Sequence, residues 1–294
     1  MILRHTAARA GKLLSFLRRE LGLSSSEVSR LKFVNGYYVN QKPVFTDYPV
    51  RPGDQIEVRI AEAEPDFPAE DGELSILYED EAILALDKPA GILMHPSFHR
   101  NEGTLANRLL GYYRRTGQAC AVHPVSRLDR DTFGVVLLAK NAHIHALLCR
   151  AMQEGRIQKT YRALVYGAAM ADGGTMNYPI ARLAPESLLR CVREDGKPAR
   201  SEFKVLRRQP PCALLQLKPL TGRTHQLRVH CAHEGFPIVG DQQYGTEESI
   251  AFSERNGYAY QQLCAVSLRF PHPLSGESCK ICSRQNIRIP KAFL

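Results

Sequence analysis

No run of apolar residues in this chain is long enough to form a helix that crosses a membrane, which excludes a helical spanning protein. The opening residues, Met1 to Ala10, hold no continuous apolar stretch of the kind that directs secretion, so a soluble protein in the cytoplasm is expected. A Gly-rich loop that could cradle phosphates is missing, as is a metal-ligand set, and neither a nucleotide cofactor nor a metal is expected. The eight cysteines are scattered, and only Cys279-Lys-Ile-Cys282 has metal or redox spacing. With no second pair after it, this segment reads as a strand carrying two reduced thiols. Lone cysteines in a chain without a signal also fit a reducing compartment. A monomer is the working expectation.

A length of 294 residues favours two domains, and the 44% hydrophobic fraction is ordinary for a globular protein. The net charge of +9 points weakly to an anionic partner, and its distribution says more. Residues 1–61 are basic, with net charge +5. The stretch from Glu62 to Gly72 carries five acids and no base. Two prolines and a closing glycine make it poor helix or strand material, so residues 62–73 read as a linker. A small basic unit, 1–61, is thereby set apart from a large domain, 74–294.

In the small unit, Leu13, Phe16, Leu17 and Leu21 fall at helical spacing, with basic residues on other faces. Ser24-Ser-Ser-Glu27 has capping-box spacing and predicts a second short helix towards Lys32. Asn35-Gly36 and Arg51-Pro-Gly-Asp54 read as turns, and Tyr37 to Asn40 and Gln55 to Val58 as strands. This order resembles the αL RNA-binding motif. The resemblance implies that Arg18, Arg19, Arg30 and Lys32 face phosphate and position RNA without reading its sequence.

The large domain alternates strands and helices without Rossmann regularity. Strands are expected at Leu74 to Tyr78, Ala82 to Leu86, Val135 to Ala139, Thr160 to Tyr166, Ser201 to Leu206 and Ala213 to Leu217, the last two paired. Asn141 can cap a helix lined by Ile144, Leu147, Leu148 and Met152 and ended by Gly155. Strands outnumber helices, so the fold class is α+β with a mixed, largely antiparallel sheet.

Four segments carry candidate chemistry. Lys88-Pro-Ala-Gly91 is a turn after a strand, whose backbone could approach a ligand closely. Ser126-Arg-Leu-Asp-Arg-Asp-Thr-Phe-Gly134 places two aspartates and two arginines directly before the most apolar strand. Ionised groups beside a core element are costly unless paired, which marks a site. Arg130 and Asp131 read as surface charges within it. In Thr160 to Tyr166, alternation puts Tyr161, Ala163 and Val165 on one strand face, where Tyr161 alone would be a core residue with a bonded hydroxyl. In Thr221-Gly-Arg-Thr-His-Gln-Leu-Arg-Val-His230, Thr224 can cap a helix ended by Gly235, with Arg228 one turn inside. His225, His230 and His233 do not share one helical face with a carboxylate, so they are not read as metal ligands.

In this order, the four segments resemble the RluA family of RNA pseudouridine synthases from about residue 74 onward. Arg127-Leu-Asp129 with Thr132 and Gly134, and Thr221 to His230, carry the resemblance. It implies the pseudouridine synthase fold and a cofactor-free isomerisation of uridine in structured RNA. Ribosomal RNA of the large subunit is favoured and transfer RNA is the other candidate. It also implies that Asp129 is catalytic, with Tyr161 and Arg228 as partners, and that Arg127 fills the space left by an extruded nucleotide. Lys88 and Arg223 are expected to contact RNA. The chain departs from many members at Ser126, where they have histidine, and at Phe133, where they have serine. Those departures leave room for a non-catalytic RNA-binding or ribosome-assembly factor on the same fold.

Overall fold

The computed structural model describes residues 2–60, 65–97, 100–167 and 171–290. The first 60 residues fold around a core of their own. Helix α1, Leu13–Arg19, turns Leu13, Phe16 and Leu17 inward, as their spacing requires. Helix α2, Ser25–Phe33, begins with the expected capping box: Ser24 accepts from the Glu27 N–H, and Glu27 accepts from the Ser24 N–H. Both helices pack on a four-stranded antiparallel sheet in the order Ile2–Thr6, Gln55–Arg59, Tyr37–Val39, Lys42–Pro43. The strand Ile2–Thr6 is outside the reading from sequence, which began its structure at residue 12.

The acidic stretch expected as a linker is only partly described, because residues 62–64 lie outside the described residues. From Pro65 onward it already belongs to the large domain. Phe67 and Ala69 pack against the main core, and Asn107 donates to the Pro68 carbonyl at 2.8 Å. A side chain at Gly111 would meet the Glu70 carbonyl oxygen at 2.0 Å, so the chain lies flat on helix α3, Leu105–Arg115. Composition suggested a tether because polar and proline residues dominate; two apolar side chains and one buried asparagine are enough to seat it.

The large domain is built on a ten-stranded sheet. Its path runs Gly173–Asn177, Arg200–Gln209, Cys212–Pro219, Gln158–Tyr166, Leu263–Pro271, Phe133–Ala139, Ile83–Lys88, Ile76–Glu79. Short strands His123–Pro124 and Ser278–Cys282 pair beside this path. The pairing of Phe133–Ala139 with Leu263–Pro271 is parallel and the others are antiparallel, giving the mixed sheet expected. Alternation assigns the faces. Tyr161, Ala163 and Val165 join Leu215, Leu217, Val136 and Leu138 on one face, under α3 and helix α5, Gln226–His233. On the other face, Val135 and Leu137 pack against helix α4, Ala142–Gln153, and Leu164 lies in a cluster with Phe252 of helix α6, Glu247–Arg255. Each leucine or valine so buried contributes about 1.5–3 kcal/mol. Asn141 caps α4 by accepting from the Ile144 N–H at 2.9 Å, and Gly155 follows its end at φ +70°.

A buried polar contact joins the two parts. Glu27 of the capping box meets His143 Nδ1, in the first turn of α4, at 3.1 Å. Burial works against the Glu27 charge, yet the bonds with His143 and Ser24 outweigh it and hold its pKa near about 2, below the ordinary 4.5. The two cysteines of Cys279-Lys-Ile-Cys282 lie on a strand, spaced so that they alternate to opposite faces, and both are free thiols.

Candidate active site

The loop Ser126 to Thr132 enters the strand Phe133–Ala139 at the edge of a cleft on the Tyr161 face. Gly134 makes the entry possible: at φ +108°, a side chain there would meet the Ala265 carbonyl oxygen at 2.4 Å on the parallel neighbour. Lys88 fastens the loop from beneath. It is fully buried, and its ammonium donates to the carbonyls of Pro89, Arg130 and Thr132 at 3.0, 2.7 and 2.8 Å. The expectation that Lys88 contacts RNA is therefore corrected: its three donors are engaged inside the protein. Burial pushes its pKa down to about 8, against the pull of Asp131 and Asp129. Thr132 adds a second tie, accepting from Gln261 Nε2 at 2.5 Å. Arg130 and Asp131 pair with each other on the outside of the loop, at 2.9 Å.

So held, Asp129 projects into the cleft. Arg228 of α5 donates from Nη1 to Asp129 Oδ2 at 3.3 Å. Its remaining guanidinium edge grips Asp241, with Nε to Oδ2 at 2.7 Å and Nη2 to Oδ1 at 2.8 Å. Nη2 also reaches Gln243 Oε1 at 2.7 Å, and the guanidinium lies 4.8 Å from the centre of the Tyr244 ring. Asp241 accepts from the N–H groups of Gln243 and Tyr244 as well. Burial opposes the Arg228 charge, but Asp241 and Asp129 together hold its pKa above the ordinary value, so it is a fixed cation.

Helix α5 starts in an unexpected way. Its N-cap is His225 in the left-handed conformation, φ 56°, with no side-chain cap, where Thr224 was expected to cap. Gln226 does the anchoring: its amide donates to the Arg200 carbonyl and Ser201 Oγ, and its carbonyl accepts from the Arg223 N–H and Thr221 Oγ1. His225 is thereby turned towards the cleft, with Nδ1 2.7 Å from the Tyr244 hydroxyl and Nε2 4.0 Å from Asp129 Oδ1. Burial pushes its pKa below the ordinary histidine value, which favours a neutral ring. His230 bonds to Ser201 Oγ and the Tyr178 carbonyl, a structural role, and no group of metal-ligating side chains occurs among the described residues.

Tyr161 lies in the floor of the cleft, 9% exposed, and burial together with the Asp129 charge pushes its phenol up. Its hydroxyl has no hydrogen-bond partner among the described residues, unlike the bonded hydroxyl of an ordinary core tyrosine. Arg127 is exposed at the rim, near enough to His95 to lower that ring's pKa, after burial. Arg223 is exposed and donates to the Pro198 carbonyl. Arg18, Arg19, Arg30 and Lys32 are exposed on the small unit, away from the cleft residues in the chain. Phe133 is buried, opposite Cys264 on the neighbouring strand.

Asp129, Tyr161 and Arg228 thus meet, from a loop, a strand and a helix. Asp241, Gln243, Tyr244 and His225 were not assigned from sequence. The signal was present for Asp241: it follows the apolar pair Ile238 and Val239 after a single glycine, the same placement of a charge beside a core element that singled out Asp129.

Residues 82–233 match the family model described as RNA pseudouridylate synthase. The chain is 38% identical over 243 residues to the RNA pseudouridine synthase YlyB of Bacillus subtilis, covering 81% of this chain and 78% of that one. It is also 38% identical over 234 residues to the ribosomal large subunit pseudouridine synthase D of Haemophilus influenzae, covering 76% and 72%. Among solved structures, the human RNA pseudouridylate synthase domain containing 1 superposes with a TM-score of 0.60 at 29% identity, over 77% of this chain and 87% of that one. With the sheet, the cleft and these relatives in agreement, the chain belongs to the RluA family and is an RNA pseudouridine synthase.

Proposed function

We propose that the chain isomerises specific uridines in large-subunit ribosomal RNA and that Asp129 carries the reaction. The observation that supports this reading best is the Asp129–Arg228 pair, a part-exposed carboxylate held by a guanidinium whose other edge is locked on buried Asp241. The ribosomal target is supported by relatives named as ribosomal large subunit pseudouridine synthases.

The isomerisation breaks the bond from C1′ to N1, turns the uracil, and forms a bond from C1′ to C5; N1 gains a proton and C5 loses one. Either way of starting, attack by Asp129 or removal of a sugar proton, needs an ionised carboxylate, and the bond from Arg228 orients it. Arg228 is buried, so the pairing acts at a lower dielectric than in water. Tyr161, kept protonated by burial, supports the reaction as a stacking surface for uracil rather than as a proton acceptor. The target must leave its stack at a cost on the order of a few kcal/mol, and exposed Arg127 at the rim is suited to fill the vacancy. Arg18, Arg19, Arg30, Lys32 and Arg223 are proposed to bind phosphate, with the small unit positioning the RNA.

Mapping pseudouridine in total RNA with and without the gene tests the proposal. Loss of one or more sites from large-subunit ribosomal RNA is expected. An unchanged map, or changes confined to transfer RNA, would refute it.

A further inference from the structure

The cleft occupies one face of the sheet. The opposite face carries a second concavity of about 590 Å³, bounded by the C-terminal segment around Ser283 to Asn286. Alternation along Gln158–Tyr166 places it there, since Gln158, Thr160 and Arg162 line it while Tyr161 and Ala163 point into the main core. Four cations project from four adjacent strands: Lys218, Arg162, Arg269 and Lys280. All four are exposed, and none forms an ion pair among the described residues.

No carboxylate lines the groove. Glu202 stands across from Lys218 on the next strand, outside the lining and not in ion-pair contact. Asp87 lies beneath the groove, where Ser283 Oγ, the Arg284 N–H and the Gln285 amide donate to it. Nothing in the catalytic geometry uses these four cations, and like charges gathered without acids repel one another unless an anion joins them.

We infer that this back-face groove binds the sugar–phosphate backbone of a flanking arm of the RNA substrate, a second contact remote from the cleft. The inference rests on the reading of the protein as acting on a large folded RNA. Three steps between adjacent strands span about 14 Å at about 4.8 Å each, which matches about four steps between stacked nucleotides at about 3.4 Å each. The groove floor offers hydroxyls and an amide, from Thr160, Ser267 and Gln216, which suit phosphate and ribose oxygens. No aromatic ring lines it, so unpaired bases have no stacking platform there. The groove therefore recognises backbone, not sequence. An RNA engaged on both faces has to pass round the sheet, which a folded RNA with a flanking arm can do and a short hairpin cannot.

The test compares the full-length wild type with R162Q/K218Q/R269Q/K280Q, using unmodified large-subunit ribosomal RNA as the probe and poly-glutamate as a competing polyanion. The variant is expected to bind the RNA about tenfold or more weakly, with the slope of log affinity against log salt reduced by about three. R162K/R269K, with Lys218 and Lys280 left in place, keeps all four charges and should hold the wild-type slope, where R162Q/R269Q lowers it by about two. If the quadruple variant melts early, the single substitutions carry the test, each lowering the slope by about one. Equal affinity and slope in wild type and variant, while the wild type converts uridine in that RNA, would overturn the groove alone. A variant that loses poly-glutamate binding but not RNA binding would also overturn it, pointing instead to an acidic protein. A wild type that converts no uridine in that RNA would instead defeat the ribosomal target reading.

Discussion

Two aspartate-bearing loops share one guanidinium, and they use it differently. In the loop after Val239, the Asp241 side chain is 1% exposed; it takes two bonds from Arg228 and two more from backbone N–H groups. In the loop before Phe133, the Asp129 side chain is 27% exposed and receives a single longer bond of 3.3 Å from the same arginine. Every strong contact of Asp241 is already made, so it can do little except hold. Asp129 keeps an open side toward the cleft. A carboxylate that is oriented but not saturated can react, and the saturated one supplies the orientation. The lesson extends to Lys88, whose charge is directed entirely at backbone carbonyls and which fixes the Asp129 loop without reaching the cleft.

Removing the holding member should damage both fold and chemistry. Asp241→Asn leaves the buried Arg228 charge with half its partners and is expected to lower stability by about 3 kcal/mol, read by denaturant unfolding. It should also lower kcat about a hundredfold through misplacement of Arg228. A stable variant with reduced activity would make Asp241 more than a support and blur the distinction.

The contact between the small unit and α4 should be felt less. Glu27→Gln keeps the capping box, since the amide oxygen still accepts from the Ser24 N–H, but removes the carboxylate that faces His143, for an expected loss of about 1 kcal/mol at neutral pH. Because the folded Glu27 pKa is depressed, its contribution is present above about 4.5 and fades as pH falls towards about 2. The wild type should therefore lose stability across that window more steeply than the variant. The smallest effect is expected for Tyr161→Phe. If the phenol serves as a stacking surface, multiple-turnover activity should fall less than about tenfold, under about 1.4 kcal/mol. A larger loss would give the hydroxyl a chemical role and place Tyr161 with Asp129.

Much of this arrangement is legible in the sequence wherever a local rule decides. The caps at Ser24 and Asn141, the alternation through Tyr161, Ala163 and Val165, and the pairing of Arg200–Gln209 with Cys212–Pro219 follow from short-range patterns. What escaped depends on distant contacts. The start of α5 is set by Gln226 bonding across to Arg200 and Ser201, so His225 adopts a left-handed conformation that no nearby residue announces. The burial of Lys88 depends on carbonyls 42 and 44 residues away. Helix α3 is different: Thr104 caps it, and Leu105, Leu109, Leu110 and Tyr113 line its buried face, a pattern that short-range rules announce.

The most direct test of the account is Asp129→Asn, assayed at once for pseudouridine formation in unmodified large-subunit ribosomal RNA and for affinity to the same RNA. The account predicts a loss of conversion of at least about a thousandfold, near 4 kcal/mol of transition-state stabilisation, with affinity and stability close to wild type. Conversion retained within about tenfold would contradict it, and the reacting carboxylate would have to be sought elsewhere in the cleft.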